Sequence, residues 1–335
     1  MASNRSVSLV LLFSLGLAAC GGDPTATPSS VAPPAAAPGG SPPLSPTVAT
    51  AFPVTITDDA GREVAIEEEP ERIVSLAPSS TEMVCAVDAC DRLVGVTDFD
   101  DHPEQVAEVE DVVIAAAVDV ERVVATEPDL VLAAGNEITP SEVIAQLEEL
   151  DLTVLVLYPE TLEEVYADIE LVGAAVGRPD EAGALVEDMR GRVDEVTAAV
   201  EGADAPRTLY EVFHSEGTTY TAGEGSFLAS LLELAGAEPV TGDAQGLIAP
   251  EDLVAADPEL ILLGTASYDP ALADAGAALE AVAARPGWAD LAAVQAERVV
   301  PYTDDIVTTR PGPRIVDGLE ALARAIHPDR FDAEP

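Results

Sequence analysis

Residues 121–132 read ERVVATEPDLVL, and residues 251–262 read EDLVAADPELIL. Aligned without gaps at a constant offset of 130, the two strings share Glu, Val, Ala, Pro, Leu and Leu at six of twelve positions. Each opens as a short helix and breaks before Pro128 or Pro258, because a residue that precedes proline is pushed out of the α region. Each then closes in an apolar run of strand length. A helix followed by a buried strand, met twice, predicts two lobes of similar build that carry this unit in the same place. Generic α/β grammar or chance is the alternative.

Working outward, Arg72–Leu76 and Leu93–Thr97 have the composition of strands. Between them Ser79-Ser80-Thr81-Glu82 has the spacing of a capping box, predicting a helix that carries Met83 to Val87. Val54–Thr57 and Arg62–Ile66 flank Asp59-Ala60-Gly61, a hairpin signature. Strand and helix alternate with short connections, which indicates α/β units around mainly parallel sheets. Midway, Pro179 to Val200 places Ala182, Leu185, Val186, Met189, Val193, Val196 and Val200 at three- and four-residue spacing. That pattern predicts one long amphipathic helix with proline near its start. The expected fold is therefore α/β: two Rossmann-like lobes, residues 52–178 and 203–335, joined by a long rigid helix over 179–202. A rigid helix there limits hinge opening.

The chain has 335 residues, enough for such a body to bury a core without stapling. It carries 62 Asp and Glu against 15 Lys and Arg, a formal net charge of −47. All the basic residues are Arg. Such a surface repels phosphate backbones and anionic headgroups, which excludes nucleic acid as a partner and leaves membrane contact to a lipid anchor alone. A GC-rich genome that avoids Lys codons and life at high salt both account for the acidity.

The first 51 residues do not read as part of the fold. Arg5 precedes an apolar run, Val7 to Ala19, that is too short to span a bilayer and suits a secretory signal peptide over 1–19. It ends in Leu17-Ala18-Ala19-Cys20, which resembles a bacterial lipobox with Cys20 as the lipidated residue; an ordinary signal peptide with an incidental cysteine is the alternative. Acyl chains on Cys20 would hold the protein stably to a membrane. Residues 20–51, with eight prolines and one charge, form a tether that spans at most about 90 Å at roughly 3.1 Å per residue. The folded body is thus expected outside the cell, anchored to its membrane.

Cys85 and Cys90 are the thiols left in the mature body. In an exported protein the pair forms a disulfide if the helix unwinds near Asp88; two buried free thiols are the alternative. Of the three histidines, His102 precedes Pro103 in a loop and His327 lies near a helix end. His214 follows a strand, either as an axial ligand to a cobalt or iron macrocycle or as a loop residue. No His/Cys set has zinc-site spacing. The sequence has no G-x-S-x-G, H-E-x-x-H or G-x-x-x-x-G-K-[ST] motif, so a surface-anchored α/β hydrolase is only a remote reading. Gly223-Glu224-Gly225-Ser226 reads as a turn with an N-cap.

Four segments together resemble a known family: RIVSLAPSSTEMV (72–84), DRLVGVTDFDDHP (91–103), the paired 121–132 and 251–262 units, and RPGPRIVDGLEALARAIHP (310–328). They are similar to the ABC-transporter substrate-binding proteins of the cobalamin, haem and ferric-siderophore group, and closest to its cobalamin binders. The resemblance runs from about Val54 to Phe331. It implies the helix-backboned periplasmic-binding-protein fold, a ligand held between the lobes, no catalysis and no resident cofactor, the ligand itself being a cobalt or iron chelate. It also implies a monomer whose partners are a permease dimer with its ATPase subunits. Carried over by position, ligand-side aromatics fall on Phe99 and Tyr220, and a polar pair falls on Asp305 and Arg310, with one extra residue between them. Permease-docking glutamates fall on Glu121 and Glu251, equivalent positions of the echo. A first-turn Glu that merely favours the helix dipole is the alternative. Where several Trp residues are expected this chain has Ala115, Ala134 and Gln245, and its one Trp is Trp288. A cleft so altered points to another corrinoid, to haem or to an iron chelate.

Overall fold

A computed structural model describes residues 52–331 apart from Glu137, Glu216 and Asp304. The signal segment, Cys20 and the tether lie outside the described residues.

The first lobe opens with the hairpin β1 (Val54–Thr57) and β2 (Glu63–Ile66), paired antiparallel. There follow β3 (Ile73–Ser75), α1 (Pro78–Ala86), β4 (Leu93–Thr97), β5 (Asp111–Ile114), β6 (Ala117–Val118), α2 (Val120–Ala125), β7 (Leu130–Ala133), α3 (Ser141–Glu149), β8 (Val154–Val156) and α4 (Leu162–Ala175). Its sheet has the order β6-β5-β4-β3-β7-β8 and is parallel except at the β5–β6 edge.

Helix α5 (Pro179–Val200) leads to the second lobe: β9 (Arg207–Glu211), β10 (Phe213–Ser215), β11 (Thr218–Tyr220), α6 (Phe227–Leu234), β12 (Glu238–Pro239), β13 (Leu247–Ile248), α7 (Pro250–Ala256) and β14 (Leu260–Leu263). It finishes with α8 (Ala275–Ala283), α9 (Ala292–Gln295), β15 (Val299–Pro301), α10 (Ile306–Thr309), α11 (Ile315–Ile326) and α12 (Pro328–Phe331). A four-stranded parallel sheet runs β12-β9-β14-β15, and β10-β11-β13 form a separate antiparallel sheet.

Strands β7 and β14 are buried along their whole length, as expected for parallel strands covered on both faces. The echo is reproduced in hydrogen bonds as well as in sequence. Arg72 Nε donates to the carbonyls of Thr126 (2.9 Å) and Glu127 (3.0 Å), while Arg207 Nε donates to those of Ala256 (3.0 Å) and Asp257 (3.2 Å). These are the orphan carbonyls at the ends of α2 and α7. Glu127 and Asp257, at equivalent positions, both take the left-handed conformation, with φ of 47° and 46°. Asp129 and Glu259 then accept from the backbone N–H of Arg72 and Arg207, respectively.

Helix α5 is about 33 Å long at 1.5 Å per residue. Ala182, Val186, Met189, Val196 and Val200 on its inner face join a core that contains Ile73 and Leu132 of the first lobe and Tyr210 and Leu231 of the second. Two arginines tie it outward. Arg190 forms a fork with Glu163 of α4 (3.0 and 2.7 Å), and Arg192 reaches Glu320 (2.9 Å) and Asp317 (2.5 Å) of α11.

One local expectation fails. Helix α1 starts on Pro78 with Ala77 at its N-cap and no side-chain cap, so Ser79 is already inside the helix and no capping box forms. Glu82 turns inward instead, to two arginines of the second lobe. At the other end of α1 the chain turns at Asp88, with φ of 59°, and Cys85 and Cys90 are joined as a disulfide.

Candidate functional site

In open parallel sheets the carboxyl ends of the strands converge on one crevice, and ligands bind there. Here the ends of β3, β4, β7 and β8 and the segments beyond them (Leu76–Ser79, Thr97 and Phe99, Ala134 and Asn136, Leu157–Thr161) line one side of a cavity of about 910 Å³. The opposite side comes from Glu224–Phe227 ahead of α6, from Tyr268 beyond β14, and from Asp305 and Thr309–Pro311 around α10. Its volume suits a sizeable small-molecule ligand.

Aromatic faces stand at its edge without burial: Phe99 is 47% exposed, Tyr158 50% and Tyr268 63%. Phe99 is presented by a turn built on Asp100, whose carboxylate accepts from the Thr97 N–H (2.8 Å) and the Thr97 hydroxyl (2.6 Å). Thr97 Oγ1 in turn accepts from the Phe99 N–H at 3.1 Å. Burial pushes the Asp100 carboxyl up, against the Thr97 hydrogen bonds and the Arg310 charge, which pull it down. Tyr158 is held by its backbone N–H donating to Asp59 of the β1–β2 turn.

Arg310 is 8% exposed and bridges the lobes. It meets Asp101 at 3.0 Å and Glu82 at 3.4 Å, and donates to the Phe99 carbonyl at 3.3 Å. Arg314 fills the remaining acceptors of Glu82, at 3.0 and 2.5 Å. Asp305 borders the cavity through its side of α10, and its carbonyl accepts from the Thr308 and Thr309 hydroxyls.

Of the residues the sequence pointed to, Phe99, Asp305 and Arg310 meet in this cavity, whereas His214 and Tyr220 do not line it. Both lie on the antiparallel β10–β11 pair, with His214 opposite Thr219 and Tyr220 opposite Phe213; His214 Nδ1 meets Thr219 Oγ1 at 2.8 Å and the ring sits edge-on to Trp288 at 5.7 Å. Burial first, and then the charge of Arg285, hold the His214 ring below its ordinary pKa, so it is neutral at pH 7. Beside it Glu211, fully buried, is paired with Arg285 and accepts from the Thr265 hydroxyl at 2.7 Å. Ala134 lines the cavity where a larger residue was expected, and Gln245 lines a smaller cleft beyond Phe227. Ser226 caps α6 by accepting from the Ala229 N–H. Tyr158, Tyr268, Phe227 and Asn136 were not singled out from sequence. The available signal was position: Tyr158 directly follows the buried run Val154–Leu157, and Tyr268 follows β14 by five residues.

Among the described residues no three His, Cys, Asp or Glu side chains gather to hold a metal ion, and no helix is long and apolar enough to cross a membrane. Glu121 and Glu251 lie exposed in the first turns of α2 and α7.

The periplasmic binding protein family model matches residues 73–306. This chain belongs to that family. It is 34% identical over 286 residues to an ABC transporter substrate-binding lipoprotein, YvrC, of Bacillus subtilis, covering 84% of this chain and 87% of that one. It is also 28% identical over 289 residues to a cobalamin-binding protein of Halobacterium salinarum, covering 83% and 75%. Among solved structures it resembles the periplasmic haem-binding protein BhuT in complex with two haems, with a TM-score of 0.66 and 26% identity over 77% of this chain and 98% of that one. Two α/β lobes on a helical backbone are thus the family's architecture in this chain as well.

Proposed function

We propose that this protein is the extracytoplasmic substrate-binding component of an ABC importer. It captures a metal-chelate macrocycle, foremost a corrinoid, in the cavity between its lobes; haem or a ferric siderophore is the second reading. The observation that carries this is the aromatic-edged cavity of about 910 Å³ at the strand ends, where Phe99, Tyr158 and Tyr268 offer flat faces to a flat ligand. Cobalamin binding and haem binding, each named for one of the similar proteins, support a macrocycle. The division of the chain follows from this reading: signal 1–19, lipidated Cys20 with its tether to 51, lobes 52–178 and 203–335, and the helix 179–202 between them.

The protein works as a monomer tethered to the cell membrane by Cys20. It performs no catalysis, and ATP is hydrolysed by the transporter's own subunits. Glu121 and Glu251 present one carboxylate from each lobe to the two permease subunits. Phe99, Asp305 and Arg310 form the ligand side of the cavity; His214 and Tyr220 serve a ligand only if it extends past the cavity edge.

Isothermal titration with cyanocobalamin, hemin and a ferric hydroxamate tests the reading. Binding of one of them at micromolar affinity or better, about −8 kcal/mol, supports it. No heat from any of the three rejects a chelate importer.

A further inference from the structure

We infer that the cleft selects its chelate by peripheral charge, accepting those edged with amide or ammonium donors and rejecting those that carry carboxylates. The inference rests on the cavity being the chelate site proposed above, and it names the chemical class that site takes.

Four carboxylates line the cavity: Glu160, Glu164, Glu224 and Asp305. Among the described residues none of them makes an ion pair with an arginine, and Glu164 accepts only the Glu160 N–H (2.8 Å) and serves the helix start. The whole chain has no lysine, so arginine is the sole source of fixed positive charge. Arg310 is the one arginine in the lining, and it is already spent: Asp101 and Glu82 flank it at 3.0 and 3.4 Å, and the Phe99 carbonyl takes another N–H. Arg314, next to it, is occupied by Glu82. An incoming carboxylate therefore meets four like charges and no free cation, and to reach Arg310 it must displace an existing carboxylate. An amide N–H or an ammonium group meets acceptors instead.

A net charge of −47 would repel anions from any face of this protein. That long-range repulsion is screened to about 3 Å in 1 M salt. Lining charges act at contact distance between low-dielectric walls, so their discrimination persists when bulk repulsion has gone.

The test is a titration of the intact protein with a matched pair, dicyanocobinamide and dicyanocobyrinic acid, which share the corrin but differ in carrying amides or free carboxylates. Hemin, with two carboxylates, is the third probe. All are run at 0.15 M and 1 M NaCl. The expected result is at least about 100-fold weaker binding of the carboxylate corrin at both salts. The triple variant Glu160→Gln, Glu164→Gln, Glu224→Gln should shrink that gap at least tenfold, while Glu187→Gln on the outer face of α5 leaves it unchanged. Equal affinities within the pair, or a gap that vanishes in 1 M salt and ignores the triple variant, overturn the inference. Hemin binding as tight as that of the amide corrin also overturns it, yet leaves the importer reading intact. Failure of all three probes overturns the inference, and failure of cyanocobalamin and a ferric hydroxamate as well rejects the importer reading with it.

Discussion

Asp168 on α4 is 1% exposed, and neither of its carboxyl oxygens has a hydrogen-bond partner. Burial first, and then the charge of Asp59, push its pKa up to about 8. A neutral carboxyl is the form that fits, since its proton can be donated to Asp59, which also holds the Tyr158 backbone. The sign follows from the raised value. Between about pH 4 and pH 8 the folded state binds a proton that the unfolded state has released, so this contribution is complete below pH 4 and is lost as pH rises through 8. Asp168→Asn keeps the neutral shape without the titration. It is expected to leave stability within about 1 kcal/mol of wild type at pH 4.5 and to raise it by about 5 kcal/mol at pH 8.5, as read from urea unfolding at both values. A loss at both would mean that the carboxyl is bonded in a way the buried pair does not suggest. The edge aromatics are simpler, because half-exposed rings contribute little to the core. Tyr158→Ala and Tyr268→Ala should each weaken cyanocobalamin binding by about 1–2 kcal/mol in calorimetry, with the melting temperature held.

Helix α1 shows how one element can be read correctly in place and wrongly in detail. Its Ser-x-x-Glu spacing is the same whether the glutamate reaches back to cap the helix or inward to a partner more than two hundred residues away, and only the tertiary fold separates the two. Buried Glu82 neutralises both Arg310 and Arg314. Truncating it leaves those guanidinium groups with only the exposed Asp101. Glu82→Ala is expected to destabilise the protein by about 3 kcal/mol in denaturant unfolding, the usual consequence of orphaning a buried charge. Elements whose signal is local were legible: the β1–β2 hairpin from its Asp59-Ala60-Gly61 turn, α5 from its apolar spacing, and α2–β7 and α7–β14 from the echo. The cavity was legible only in part. Phe99, Asp305 and Arg310 came through family motifs, but Tyr158 and Tyr268 reach one cavity only because the strand orders β6-β5-β4-β3-β7-β8 and β12-β9-β14-β15 bring the loops after β8 and β14 to it. Position just beyond a buried parallel strand was the one signal they carried. Arg72 and Arg207 were silent for a similar reason: they cap α2 and α7 from outside the repeated strings, at a different offset.

Across the whole molecule, the continuous core through α5 and the Arg190 and Arg192 ties to opposite lobes leave little freedom for wide hinge opening. Under the proposed importer role, a binder so braced would present its loaded state to the permease through surface chemistry on both lobes. Glu121 and Glu251 occupy equivalent positions there, each the second residue of a short helix whose far end an arginine caps in the same way. A first-turn carboxylate contributes well under about 1 kcal/mol through the helix dipole, so a purely local role and a docking role have different consequences. Reversing both, Glu121→Arg with Glu251→Arg, should leave ligand affinity within twofold and abolish uptake of labelled cobalamin by cells that carry the cognate transporter. Each single reversal should reduce uptake at least tenfold if, as proposed, the permease engages both lobes together. If the double variant is merely less stable by a fraction of a kcal/mol and imports normally, the two glutamates only serve their own helices. The permease contact must then be sought on other exposed acids of the two lobes.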